Sequence, residues 1–126
     1  MSTETKVLIV EDDPFIAMDL EDAFIEAGYD VCGLAGSVAE GLERIETCRP
    51  EVATLDYHLG RETSDAIARA LEARSIPYCY VSGNAGELEN PRAPVIVKPV
   101  APATVLRTLA TLVGEGGRPA GPVQAT

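Results

Sequence analysis

Four apolar runs in this 126-residue chain each end in a residue able to do chemistry: Val7 to Val10 leads into Glu11-Asp12-Asp13, Val52 to Leu55 into Asp56, Tyr80-Val81 into Ser82, and Val95 to Val97 into Lys98-Pro99. A carboxylate emerging from an apolar strand can act as a nucleophile and form an aspartyl phosphate. Glu11 and Asp12 with Asp56 would put three negative charges in one pocket, a costly arrangement. Mg²⁺ relieves it, because this hard cation takes oxygen ligands from one or two carboxylates together with phosphate oxygens. An ammonium on a flexible stem, as on Lys98, suits a point contact to a phosphoryl oxygen. Singly, each residue has a plainer reading: Asp56 and Ser82 as strand-end polar groups, the acids as a helix start, Lys98 as a solvated charge. In a parallel α/β sheet, however, side chains at the carboxyl ends of strands converge on the crevice where ligands bind.

The elements that must position these groups alternate as strand and helix, the pattern of βαβ units stacked on a parallel sheet. Lys6 to Val10 reads as the first strand. Asp13 reads as the cap of a helix opening at Pro14, with Ile16, Leu20, Phe24 and Ala27 on one face and Gly28 closing it. Three acids in a row leave a one-residue ambiguity over which two belong to the pocket. Tyr29 to Ala35 reads as the second strand, and Ser37 with Glu40 as a capping box opening a helix through Val38, Leu42 and Ile45 that stops at Pro50. Val52 to Asp56, a helix core over Asp65 to Arg74 carrying Ile67, Ala70 and Leu71 inward, and a strand from Tyr78 to Ser82 follow. Between Gly83 and Pro94 the glycines and prolines leave room for a turn or two of helix around Ala85 to Glu89, in a segment expected to be mobile. Val95 to Val97 is the last strand, and Pro102 opens a final helix with Val105, Leu106, Leu109, Leu112 and Val113 as its stripe. One domain is expected over 1–114, with no attached output domain. Its glycine- and proline-rich tail, 115–126, is expected to be disordered.

A net charge of −10 argues against direct nucleic-acid binding, which needs a basic face, and favours protein partners. No apolar stretch approaches the roughly 20 residues needed to span a bilayer, and the first residues lack a signal-peptide core, so a cytoplasmic protein without membrane partners is expected. Cys32, Cys48 and Cys79 are an odd number without CxxC spacing. They suggest neither a disulfide framework nor a zinc site, and Cys32 and Cys79, in apolar runs, read as plain core residues.

The ordered set Glu11-Asp12, Asp56, Ser82 and Lys98-Pro99, each after its own strand from about Lys6 to Val113, resembles the receiver domain of two-component response regulators. The resemblance implies a flavodoxin-like (βα)5 fold, a doubly wound parallel five-stranded sheet in the order 2-1-3-4-5. It implies phosphorylation of Asp56 by a sensor histidine kinase. Mg²⁺ would be bound by Asp12 and Asp56 directly, by Glu11 through water and by the backbone carbonyl of His58. Ser82 would move to hydrogen-bond the phosphoryl group, Lys98 would contact it, and the peptide bond before Pro99 would be cis. His58 and Asn84 would tune how readily water attacks the phosphoryl group. Such a protein is no enzyme in the ordinary sense; it takes part in its own phosphorylation and dephosphorylation.

Two features depart from the common receiver pattern. Val95 stands where many receivers carry an aromatic switch residue, and the short interval from Ser82 to Lys98 implies a shortened or missing fourth helix. Tyr80-Val81-Ser82-Gly83, with Tyr57 to Glu62 and Ile76 to Tyr78, resembles an atypical subgroup with a Phe-Ala-Thr-Gly type motif. Such receivers often stand alone and work with kinases of an atypical histidine-kinase subfamily, which makes Gly83 to Pro94 the natural switch element and, with the last helix, the expected docking face. Within this reading, a docking regulator, a phosphate sink and a phosphorylation-independent docking module are the alternatives. A phosphohydrolase of the haloacid dehalogenase type would need a second acid two residues after Asp56, where His58 stands. A flavodoxin-like small-molecule binder would need a phosphate-cradling loop where Glu11-Asp12-Asp13 repels phosphate unless a metal intervenes.

Overall fold

Strands in a sheet covered on both faces must be largely apolar on both, and three strands of this chain come close to that demand. The computed structural model describes residues 4–83, 88, 91–99 and 101–114. It contains β1 (Lys6–Val10), α1 (Pro14–Glu26), β2 (Asp30–Ala35), α2 (Val38–Cys48), β3 (Val52–Asp56), β4 (His58–Leu59), β5 (Glu62–Thr63), α3 (Asp65–Ala73), β6 (Tyr78–Ser82), β7 (Val95–Val97) and α4 (Pro102–Gly114). The five long strands form one parallel sheet in the order β2-β1-β3-β6-β7, the doubly wound flavodoxin-like order. All of β3 and β6, and β1 beyond Lys6, are buried.

Side chains alternating along each strand divide the core in two. On one face Val7, Ile9, Val52 and Cys79 pack with Leu20 and Phe24 of α1 and with Val105 and Leu109 of α4. On the other, Leu8, Val10, Ala53, Leu55, Tyr78 and Tyr80 pack with Ile45 of α2 and with Ile67, Ala68 and Leu71 of α3. The chain steps outward from β1 to β2 and then back across β1 to β3, so the reversal of winding, where such folds open a crevice, lies between the ends of β1 and β3.

Asp13 caps α1, its Oδ1 accepting from the N–H groups of Phe15 at 2.9 Å and Ile16 at 3.4 Å. Several helix-face expectations need correction. Ala27 is exposed because the helix stops at Glu26 and Ala27 is its C-cap; Ala17 is buried instead. Leu42 is 36% exposed and lies at the edge of the buried face, since α2 buries Gly41, where the Cδ1 of Ile67 occupies the space a side chain would need. On α3, Ile67, Leu71 and half-buried Ala70 face the core as expected, and Ala68 is buried beside them. Ser37 Oγ accepts from the Glu40 N–H as a cap should, but the Glu40 carboxylate reaches back to the Gly36 N–H, one residue before the capping residue.

Cys32 is half-buried on an edge strand, not a core residue; Cys79 is fully buried. The hairpin β4–β5 has no counterpart in the sequence reading. Its signal was Gly60, which takes φ +63° in the two-residue turn between Leu59 and Glu62. The short helix expected around residues 85–89 and the tail 115–126 lie outside the described residues. No described helix is long and apolar enough to cross a membrane.

Candidate functional site

β1 and β3 lie side by side in register, Val10 opposite Leu55, so the residues that end them emerge together. Asp56 is 6% exposed and Glu11 5%, whereas Asp12, one position further, is exposed at the mouth. Glu11 Oε2 accepts from the Asp13 N–H at 3.1 Å, and Asp12 Oδ2 accepts from the Gly60 N–H at 2.9 Å. The unanticipated hairpin thus positions one of the pocket acids. One carboxylate oxygen from each of Glu11, Asp12 and Asp56 lies within 4.8 Å of the others.

β7 delivers the cation. The Lys98 N–H donates to the Ser82 carbonyl at 2.7 Å, extending the β6–β7 pairing past Val97, and the Lys98–Pro99 peptide is cis. Lys98 Nζ stands 3.3 Å from Asp56 Oδ2 and 3.4 Å from Glu11 Oε2. Ser82 is fully buried at the end of β6, one residue beyond Val81, which pairs with Asp56. The structure therefore brings Glu11, Asp12, Asp56, Ser82 and Lys98 to one end of the sheet.

Among the remaining residues singled out from the sequence, His58 is exposed on β4 with its ring edge-on to Tyr57 at 5.0 Å. Val95 is half-buried against the α2/α3 face of the core. Asn84 lies outside the described residues.

The electrostatics of the pocket are those of crowded acids. Burial pushes the Glu11 carboxyl up to about 7, and hydrogen bonding to Asp56 and repulsion from it act in the same direction. Burial likewise raises Asp56, opposed by its hydrogen bonds to Glu11 and Lys98 and by the Lys98 charge. For Lys98, burial works against the charged form, but the charges of Glu11 and Asp56 outweigh it and the ammonium is held more firmly protonated than usual. One ammonium faces three carboxylates, and Glu11 Oε1 is buried with no hydrogen-bond partner. An all-oxygen donor set with an orphaned buried oxygen and excess negative charge fits a hard divalent cation such as Mg²⁺. Chemically, the pocket offers a strand-end carboxylate as nucleophile, with a cation beside it to stabilise an incoming anionic group.

No protein-family model matches the chain. Among curated proteins, it is 31% identical over 112 residues to the chemotaxis protein CheY of Thermotoga maritima, covering 82% of this chain and 93% of that one. It is 34% identical over 109 residues to the phyllosphere-induced regulator PhyR of Methylorubrum extorquens, 80% of this chain but only 40% of that protein's length. The solution structure of SdrG from Sphingomonas melonis superposes with a TM-score of 0.78 at 38% identity, covering 90% of this chain and 99% of that one. With this extent of matching, and with carboxylates, hydroxyl and lysine gathered at the carboxyl ends of the strands, the chain belongs to the receiver domains of the response-regulator family, the proteins of two-component signalling.

Proposed function

We propose that this receiver accepts a phosphoryl group on Asp56 from a phosphohistidine of a sensor kinase, with Mg²⁺, and signals by a phosphorylation-dependent change that alters docking to a protein partner. The observation that carries the reading is the placement of Asp56: its carboxylate is nearly buried, at the end of an apolar strand, with Lys98 Nζ 3.3 Å away. One Asp56 oxygen attacks phosphorus as the phosphorus–nitrogen bond of the donor breaks, and the imidazole leaves. Lys98 holds a positive charge where the phosphoryl oxygens would arrive. Asp12 and Asp56, with the His58 carbonyl and Glu11 through water, would hold Mg²⁺, which supplies charge neutralisation between the acids and the phosphoryl group.

Ser82 is the residue assigned to read the phosphoryl group, by hydrogen bonding to it, and Val95 leaves no aromatic side chain to follow that movement. His58 and Asn84 are assigned to tuning the lifetime of the phosphorylated state. The kinase would be of the atypical subfamily to which the Tyr80 to Gly83 motif points.

The test is the intact mass after incubation with Mg²⁺ and acetyl phosphate. A gain of one phosphoryl group is expected in the parent and in no Asp56→Asn sample. A gain retained in Asp56→Asn would remove Asp56 from the role. Omitting Mg²⁺ should suppress the gain in the parent.

A further inference from the structure

Away from the pocket, the pairing of β1 with β2 is interrupted. Val7 pairs with Val31 and Leu8 with Gly33, so Cys32 is an extra residue with no partner across the sheet, a bulge on an edge strand. Bulges re-aim a side chain, and here the element beside the bulge is the end of α2, whose last residue is Cys48. The Cys48 Sγ donates to the Cys32 carbonyl at 2.7 Å across a sequence separation of 16 residues. The Cys32 thiol is in hydrogen-bond contact with that of Cys48. Gly33 makes the room, because a Cβ there would stand 3.1 Å from the Cys48 sulfur. Both cysteines are half-buried and reachable by a small molecule, whereas Cys79 is sealed in the core.

We propose that Cys32 and Cys48 form an oxidisable dithiol that hydrogen peroxide closes to an intramolecular disulfide. The Cys48 sulfur attacks one peroxide oxygen, the oxygen–oxygen bond breaks, and Cys48 becomes a sulfenic acid with release of one water. The Cys32 sulfur then attacks the Cys48 sulfur; the sulfur–sulfur bond forms, the sulfur–oxygen bond breaks, and the departing hydroxide leaves as a second water with the Cys32 proton. Two thiols together lose two electrons and one peroxide gains them.

Cys48 is the residue that starts the reaction. Burial, together with the contact to Cys48, pushes the Cys32 thiol up to about 12, so Cys32 carries little thiolate and serves as the resolving partner. Cys79 is pushed up to about 12 by burial alone and stays inert. The resulting bond would tie the edge strand to the end of α2.

The test is intact mass and peptide mapping of the folded full chain after treatment with excess hydrogen peroxide. A monomer lighter by two hydrogens is expected, with the link mapped between Cys32 and Cys48 and reversed by a thiol reductant. Cys79→Ala should retain the change; Cys32→Ser and Cys48→Ser should lose it. The oxidised parent should also unfold at a higher temperature than the reduced parent, since the cross-link restricts the unfolded chain. Oxygen added at Cys48 while Cys32 stays a free thiol would overturn the proposal. So would a link that includes Cys79, a covalent dimer, or an unchanged mass in a folded sample whose urea-unfolded form does oxidise.

Discussion

The core under α1 and α4 and the pocket at the strand ends are built from the same strands a few residues apart, yet they follow opposite rules. In the core, Phe24, Leu20, Ile9 and Val52 are sealed from water in a cluster of apolar side chains that includes the Cys79 thiol. In the pocket, Glu11 and Asp56 are almost as deeply buried but are ionisable carboxyls that share one ammonium between them. Burial of the first kind stabilises the fold, and burial of the second kind costs free energy that the rest of the domain must offset. The acids persist in spite of stability, which is what a site kept for its chemistry looks like.

The largest effect expected from breaking this contrast is in the core. Phe24 is 0% exposed, with the Tyr29 ring 6.0 Å away, so Phe24→Ala should cost about 3–5 kcal/mol in chemical denaturation. A loss below about 1 kcal/mol would mean that this face collapses around the gap and is not the rigid support of the pocket.

The pocket should show its cost as a pH dependence. Glu11 ionises near 4.5 when unfolded but only near 7 in the metal-free fold. Between those values the folded state holds a proton that the unfolded state has released, so stability should fall as pH rises through that window and level off above it. The raised Asp56 carboxyl adds to the fall with the same sign. The expected loss is on the order of 2 kcal/mol, reduced in Glu11→Gln. Because a cation binds the deprotonated acids, Mg²⁺ should raise the denaturation midpoint more at about pH 7.5 than at about pH 5. Metal-free stability that climbs through this window would show that the acids are not strained in the way described.

Much of this arrangement was legible in the sequence, for a physical reason visible in the strands. Lys6–Val10, Val52–Asp56, Tyr78–Ser82 and Val95–Val97 were readable to the residue because each is a short apolar run closed by a polar residue, glycine or proline, and in the three inner strands burial on both faces leaves little freedom over where the run stops. The pocket residues were legible because the same termination rule names them. What stayed hidden depends on contacts between elements. The bulge at Cys32 shows only once β1 and β2 are paired, since Val31 to Leu34 alone reads as an ordinary strand. The support that Gly60 gives Asp12 spans 48 residues. Which of the neighbouring acids is buried follows from β1 meeting β3, a fact of pairing rather than of composition.

Gly41 gives the smallest expected effect and the sharpest view of how tightly the other face is fitted. Within a helix, alanine is favoured over glycine by about 1 kcal/mol, so on local grounds Gly41→Ala should stabilise α2. A Cβ there, however, would run into Ile67 Cδ1 and stand 3.1 Å from its Cγ1, contacts that require Ile67 to shift within a packed core. Overpacking of this kind costs about 1–3 kcal/mol, which exceeds the helix gain and leaves a net loss of about 1 kcal/mol. Ile67→Val removes the Cδ1 atom, so Gly41→Ala should cost less in that background than in the parent, and the double-mutant cycle should show favourable coupling. If Gly41→Ala instead stabilises the parent, Ile67 moves aside freely, and α2 and α3 pack with more slack than the α1/α4 face.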